Sequence, residues 1–179
     1  MRKTILLLSM FCLLSASFAA AGPFGVGAFA GGLYPVIQED QGSGYIFGIK
    51  ARVKLPAMFA LEPNVTLGSF GDAEIEGVGS REGSSIRHYG IDLLLGGGLA
   101  AIGPKPYFFI GGAIYNTKRD NDETTNKSGW SFGLGVSLGL AQYLDVDVRG
   151  RFNIAAWEGS SSKKSVEVTG GVIYYFGIK

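Results

Sequence analysis

The chain has 179 residues, of which 46% are hydrophobic and 17% charged, with 29 glycines and a formal net charge of +1. This length suits one domain, and the near-neutral charge gives no basis for a nucleic-acid-binding surface. The single cysteine and single histidine exclude an internal disulfide and any metal site built on several histidines or cysteines. We therefore expect neither a cofactor nor a nucleic-acid partner.

The first segment has the three parts of a secretory signal peptide. Arg2 and Lys3 are positive, residues 5–14 are apolar, and residues 15–21 are mostly small. The apolar stretch is too short to span a bilayer comfortably, and sites with small residues at the positions required for cleavage follow it. We predict Sec-dependent export.

Cleavage should leave a mature chain that starts at Ala20 or Gly22, so we divide the sequence into a signal peptide, 1–21, and one domain, 22–179. The only cysteine, Cys12, leaves with the leader, and 14 basic and 15 acidic residues remain. The rest of the sequence contains no run of 18 uninterrupted apolar residues that could form a membrane helix, so a membrane location would require a barrel.

Strict alternation of apolar and polar residues dominates the domain. Between Trp130 and Leu140 every second residue is bulky and apolar, and the residues between them are Ser or Gly; from Leu144 onward the intervening positions carry charges. A period of two predicts β-strands. In chain order the eight candidate strands are 24–36, 45–55, 59–67, 88–95, 106–116, 130–141, 144–154 and 166–176.

The connections between these strands alternate in length. Short and long polar connections in turn are typical of an up-and-down bacterial barrel, with tight periplasmic turns and longer external loops. The sequence thus predicts an all-β fold, an eight-stranded antiparallel transmembrane barrel. The tight connections are 56–58, 101–105 and 142–143, and the long ones are 37–43, 71–85, 117–128 and 158–164.

Charged side chains decide which face of the strands is inside. Charges facing lipid would cost about 2–4 kcal/mol for each Arg or Lys at the midplane. Turned inward, five positive and five negative groups sum to zero, as a nearly dry lumen requires. We predict that these ten form a structural ion-pair network that fills the lumen: Lys50, Arg52, Lys54, Glu62, Asp92, Asp145, Asp147, Arg149, Arg151 and Glu167.

Aromatic residues gather near the strand ends. This placement is typical of the two interfacial girdles of a membrane barrel. The predicted girdle towards the loops contains Tyr34, Tyr45, Tyr89, Tyr115, Trp130 and Trp157, and that towards the turns contains Phe24, Phe59, Tyr107, Tyr143, Tyr174 and Phe176.

The last strand carries alternating aromatics, Val172-Ile173-Tyr174-Tyr175-Phe176, followed by Gly177-Ile178-Lys179. With this ending and the pattern above, the whole domain resembles the small eight-stranded outer-membrane barrels, the group of the OmpA transmembrane domain, OmpX and the opacity proteins. The resemblance implies residence in the bacterial outer membrane, contact with its lipid and lipopolysaccharide, and recognition of the last strand by the barrel-assembly machinery.

The sequence offers little for catalysis. His88 has Ser84, Ser85 and Asp92 as neighbours in sequence, but four residues along a strand place Asp92 about 13 Å away. That separation is far beyond hydrogen-bond reach. The motif that lipid A deacylase barrels carry in their later strands is absent as well. We expect a non-enzymatic protein, in which His88 is a polar residue of the lumen or its rim.

The leading hypothesis is a monomeric barrel that is structural or presents the loops 71–85 and 117–128 to an extracellular partner. A narrow channel or carrier for small or apolar solutes is the alternative. A lipid A-modifying enzyme and a soluble lipocalin-like binder are further possibilities that remain open at this point.

Overall fold

Strands account for nearly all of the chain that the computed structural model describes, which comprises residues 24–36, 41–55, 58–75, 79–81, 83–96, 102–118, 125–155 and 162–176. The predicted signal peptide and both predicted cleavage points lie outside these residues. The strands are β1 (Phe24–Val36), β2 (Gly42–Lys54), β3 (Phe59–Gly71), β4 (Ala73–Ile75), β5 (Gly79–Arg81), β6 (Ser85–Gly96), β7 (Gly103–Lys118), β8 (Thr125–Ala141), β9 (Leu144–Ala155) and β10 (Lys163–Phe176).

Eight of the described strands close into one antiparallel barrel in the order β1-β10-β9-β8-β7-β6-β3-β2. Each barrel strand pairs with the barrel strands before and after it in the chain, and β1 pairs with β10 from Phe24 opposite Phe176 to Val36 opposite Lys164. The predicted eight-stranded up-and-down barrel is confirmed. We call the end with the β2–β3, β6–β7 and β8–β9 connections the turn end, and the opposite end the loop end.

The longest predicted loop, 71–85, contains regular structure. Its strands β4 and β5 pair as a separate two-stranded sheet, from Ala73 opposite Arg81 to Ile75 opposite Gly79. The hairpin is tied to the barrel where the Phe70 N–H donates to the Ser84 carbonyl at 2.9 Å, and where Gln41 Nε2 donates to Ser84 Oγ at 2.7 Å. The loop end is therefore partly ordered beyond the barrel rim.

The predicted extent of the tight turn at 101–105 is wrong. Strand β7 already begins at Gly103, and Lys105 pairs with Ser137 inside the ladder. Pro104 and Pro106 suggested a turn in the sequence, but both are exposed on the outer face near the start of the strand. Gly103 has φ +115°, a backbone conformation that glycine adopts without strain.

Alternation along the strands separates two surfaces, as predicted. On β8 the bulky residues are exposed, with Trp130 at 68% and Leu134 at 67% accessibility, whereas Ser131 and Ser137 are buried. Similar exposed apolar side chains occur on the other barrel strands, so together they form an apolar belt around the outside of the barrel. The apolar face is outside and the polar face is inside.

Two of the residues predicted for the aromatic girdles point the other way. Tyr107 and Tyr115 are only 5% and 3% exposed and lie inside the barrel. They share the inner face of β7 with Phe109; Tyr107 and Phe109 lie opposite Gly135 and Gly133 of β8, and Tyr115 lies opposite Lys127. The glycines provide the space: a Cβ atom at Gly133 would lie 2.7 Å from Phe109 Cζ, and one at Gly135 would overlap the Tyr107 ring. Trp157 lies outside the described residues.

Candidate functional site: the charged lumen

Five strands supply the charged residues predicted for the lumen. Strand β2 contributes Lys50, Arg52 and Lys54 on alternate positions, β9 contributes four more, and β3, β6 and β10 each contribute one carboxylate. The structure buries all ten side chains within the barrel, none more than 6% exposed: Lys50, Arg52, Lys54, Glu62, Asp92, Asp145, Asp147, Arg149, Arg151 and Glu167. That this set stabilises the fold stays a prediction.

Glu62, which is fully buried, lies at the middle of the lumen between two arginines. Arg52 Nη2 and Arg149 Nη2 each lie 2.6 Å from one of its two carboxylate oxygens. Lys50 Nζ is farther away, at 4.0 Å. Buried carboxylates are tolerated when they are paired in this way, because isolated charges are costly in a low-dielectric interior.

Asp147 binds the same cations from the opposite wall. It accepts from Lys50, from Arg52 Nη2 at 3.1 Å and from Arg149 Nη2 at 3.3 Å. The Tyr107 hydroxyl donates to it as well, at 2.9 Å. Asp147 therefore connects strands β2, β7 and β9 through side chains alone.

Asp92 and Glu167 extend the network towards the loop end. Arg151 pairs with Asp92 through Nη2 and lies 3.6 Å from Glu167 through Nε. Asn64 donates to Asp92 at 3.1 Å, and Asn153 donates to Glu167 at 2.7 Å. We call the connected set Lys50, Arg52, Glu62, Asp92, Asp147, Arg149, Arg151 and Glu167 the central cluster; it holds four positive and four negative groups.

A smaller group lies at the turn end. Lys105 Nζ donates to both oxygens of Asp145 at 2.8 Å, and Ser137 Oγ donates to Asp145 at 2.8 Å. Lys54 Nζ is 4.2 Å from the centroid of the Tyr175 ring and has no hydrogen-bond partner within the described part of the chain. We call Lys54, Lys105 and Asp145 the turn-end group.

Sequence reasoning missed Lys105 because it assigned the residue to a turn. With Lys105 included, the buried charges in the described part of the chain number six positive and five negative, so the predicted balance of five against five is wrong by one positive charge. The pattern 103–109, in which Lys105, Tyr107 and Phe109 alternate with outward residues, was the signal that could have revealed it.

Aromatic rings line the lumen beside the arginines. The Arg149 guanidinium carbon lies 5.0 Å from the Phe109 centroid and 5.5 Å from that of Tyr107, and Arg151 lies 5.1 Å from Phe109. Guanidinium groups within about 6 Å of a ring are attracted to its face. Small residues on β8 thus let neighbouring β7 place rings into the centre, where they fill space between charges.

The lumen also contains the sequence's only histidine. His88 is 1% exposed, its ring lies 5.3 Å from that of Tyr115, and its Nδ1 is 3.9 Å from Glu167. Ser84 instead accepts from Gln41. The structure therefore does not bring His88, Ser84 and Asp92 together as a hydrogen-bonded triad.

The loop-end part of the lumen contains a cavity of about 30 Å³, bordered by Phe70, Ile86, Tyr115 and Asn153 among others. This volume holds about one water molecule. Within the described residues, no group of three or more His, Cys, Asp or Glu is arranged to hold a metal ion, and no helix has the length and apolar character to cross a bilayer.

No family model matches the sequence, and no curated protein matches it. Among solved structures, the barrel is similar to Neisserial surface protein A (17% identity, 87% of this chain and 99% of that one, TM-score 0.67). It is also similar to the N-terminal barrel domain of OprF from Pseudomonas aeruginosa (14%, 85% and 97%, TM-score 0.58) and to OprG from the same species (16%, 88% and 97%, TM-score 0.52). The chain therefore has the eight-stranded barrel fold of these outer-membrane proteins.

Proposed function

We propose that this chain is a non-enzymatic integral protein of the bacterial outer membrane, with a lumen closed by side chains. The observation that carries the proposal is the pairing of an exposed apolar belt with a charged interior. A water-soluble barrel would place polar residues on its outside, whereas Trp130, Leu134 and Ile49 are each more than 60% exposed. The same belt, about one strand long, suits the hydrocarbon layer.

The interior supports the closed state. The eight charges of the central cluster are joined across the lumen by ion pairs, and Tyr107 and Phe109 occupy the space between them. An eight-stranded barrel has an interior just wide enough to be filled in this way. A barrel whose centre is filled binds partners at its ends, so we assign partner binding to the loop end. The predicted loops 71–85 and 117–128 are shorter in the structure, because β7 continues to Lys118 and β8 begins at Thr125, so the connecting segments are 72–84 and 119–124.

The outward side chains of β10 fit recognition by the assembly machinery. Val172, Tyr174 and Phe176 are exposed in succession on one face of the last strand. Alternating outward aromatics at the final strand are what the resemblance to small outer-membrane barrels implies for this role. Export through the Sec route remains part of the same proposal.

Four measurements test the proposal: membrane fractionation, gel mobility, planar-bilayer conductance and lipid A mass. A folded membrane barrel sediments with membranes, resists carbonate extraction, and migrates differently on an electrophoresis gel before and after boiling. A closed lumen gives no steady single-channel conductance in planar bilayers. Recovery in the soluble periplasmic fraction with no mobility shift would overturn the membrane location, and reproducible conductance steps would replace the closed barrel with a narrow channel. A change in lipid A mass on expression would identify an enzyme.

A further inference from the structure

The positive charge in excess within the lumen has a definite place. The central cluster has four cations and four carboxylates, so it is balanced. The turn-end group has two lysines and one carboxylate. The one excess positive charge therefore lies at the turn end, at the opposite end of the barrel from the loops to which we assign partner binding.

Within that group the two lysines differ. Lys105 makes two hydrogen bonds to Asp145, which also accepts from Ser137, so this carboxylate is already engaged. Lys54 is 4% exposed, its ammonium has no hydrogen-bond acceptor among the residues that the structure describes, and it lies 4.2 Å from the centroid of the Tyr175 ring. Burying an ammonium ion without an acceptor is costly, and a cation–π contact replaces only a part of its hydration.

Other donors border the same place. Arg52 Nη1 lies 3.5 Å from both the Tyr175 hydroxyl and Ser137 Oγ, at the outer limit of hydrogen bonding. Lys54 ends strand β2, and its ammonium lies over the Tyr175 ring near the turn end of the lumen. In the sequence, the connections 55–58, 97–102 and 142–143 and the flanking segments 22–23 and 177–179 contain no Asp or Glu side chain.

We propose that the turn-end mouth is a binding site for a small oxyanion of the phosphate class, held by Lys54 with support from Arg52 and Lys105. Charge-assisted hydrogen bonds from ammonium and guanidinium groups are the usual means of holding such anions. The phosphate chemistry can come from the aqueous phase or from a phospholipid headgroup, because the turn end of a membrane barrel lies at the level of the headgroups.

Isothermal titration tests the site. The barrel is refolded in dodecyl maltoside micelles that contain no phospholipid, and inorganic phosphate is titrated at constant ionic strength. We expect saturable binding, weakened at least tenfold by Lys54→Met and retained by Lys54→Arg. Lys118→Met, at an exposed loop-end position, is the matched control and should bind as the original chain does. The mobility shift on boiling verifies that each variant is folded.

A second titration distinguishes the sources. If a headgroup occupies the site, phosphatidylglycerol added to the micelles abolishes phosphate binding; if free anion occupies it, binding persists. The absence of phosphate binding to the original chain in lipid-free micelles, or equal binding by folded Lys54→Met, would overturn the proposal. If Lys54→Met does not fold, phosphate binding by the original chain in lipid-free micelles decides whether the proposal holds.

Discussion

Replacing Arg149 with Met tests whether the central cluster stabilises the fold. Arg149 is within 2.6 Å of Glu62 and 3.3 Å of both Asp92 and Asp147. Methionine keeps much of the side-chain length and its packing against Phe109, but the cluster is left with three cations for four carboxylates. Breaking a buried ion pair by removing one partner costs about 3–5 kcal/mol. We expect a loss of that size in the free energy of unfolding.

A second substitution separates charge from packing. Glu62→Gln in the Arg149→Met background restores electrical neutrality, so the double variant should lose less than the sum of the two single losses. Residues in one network show coupling energies of about 0.5–3 kcal/mol. Urea unfolding in neutral detergent, followed by the fluorescence of the two tryptophans and by the mobility shift on gels, measures all four proteins.

The control is Arg87→Met, because Arg87 is exposed on the outside of β6. Surface substitutions of this kind are usually within about 0.5 kcal/mol of the original protein. A loss below about 1 kcal/mol for Arg149→Met, or strict additivity with Glu62→Gln, would refute the reasoning and would indicate that water solvates the lumen.

Three further substitutions examine other parts of the barrel. Leu134→Arg places a charge at the middle of the outward belt and should lower the free energy of unfolding, measured by refolding into a bilayer, by about 2–4 kcal/mol. Leu140→Arg, near the strand end, should lower it by only about 0–1 kcal/mol. Equal effects would argue against a bilayer around the belt. The leucine of Gly135→Leu should overlap the Tyr107 ring and lower the free energy of unfolding in urea by about 1–3 kcal/mol or more. Gly112→Ala should be tolerated, because its Cβ atom would have no neighbour within 4 Å. A larger loss for Gly112→Ala than for Gly135→Leu would contradict the assigned inner face. Tyr107→Phe removes the hydroxyl that donates to the buried Asp147 carboxylate and should lower the free energy of unfolding by about 1.5–3 kcal/mol in the same assay. An unchanged urea midpoint would show that the hydroxyl contributes nothing to stability.

Some features could be predicted from the sequence because they depend on the period of two alone. On β8 and β9 the side chains are regularly apolar and then small or charged, so the strand type, the orientation of each face and the number of strands follow from local order. A strand cannot shift its register by one residue without turning its whole apolar face inward. For that reason the ten charged positions could be assigned to one side before any pairing was known.

Other features could not be predicted, because they depend on which strands are neighbours. Tyr107 was assigned to a girdle on its position near a strand end, yet the glycines of β8 open the space that draws it inward. Lys105 was assigned to a turn because two prolines flank it, yet the ladder with β8 begins before it. Local composition does not contain that information.

By itself, then, the sequence determined an eight-stranded barrel with an apolar outside and a charged inside, since alternation is a property of each strand alone. Only the tertiary structure decided how the charges pair. The antiparallel register brings Lys50, Arg52 and Asp147 together across the lumen, and it gives Lys54 at the turn end no acceptor among the residues described. Pairing depends on distances between residues far apart in the chain, and closure of the barrel is what sets those distances.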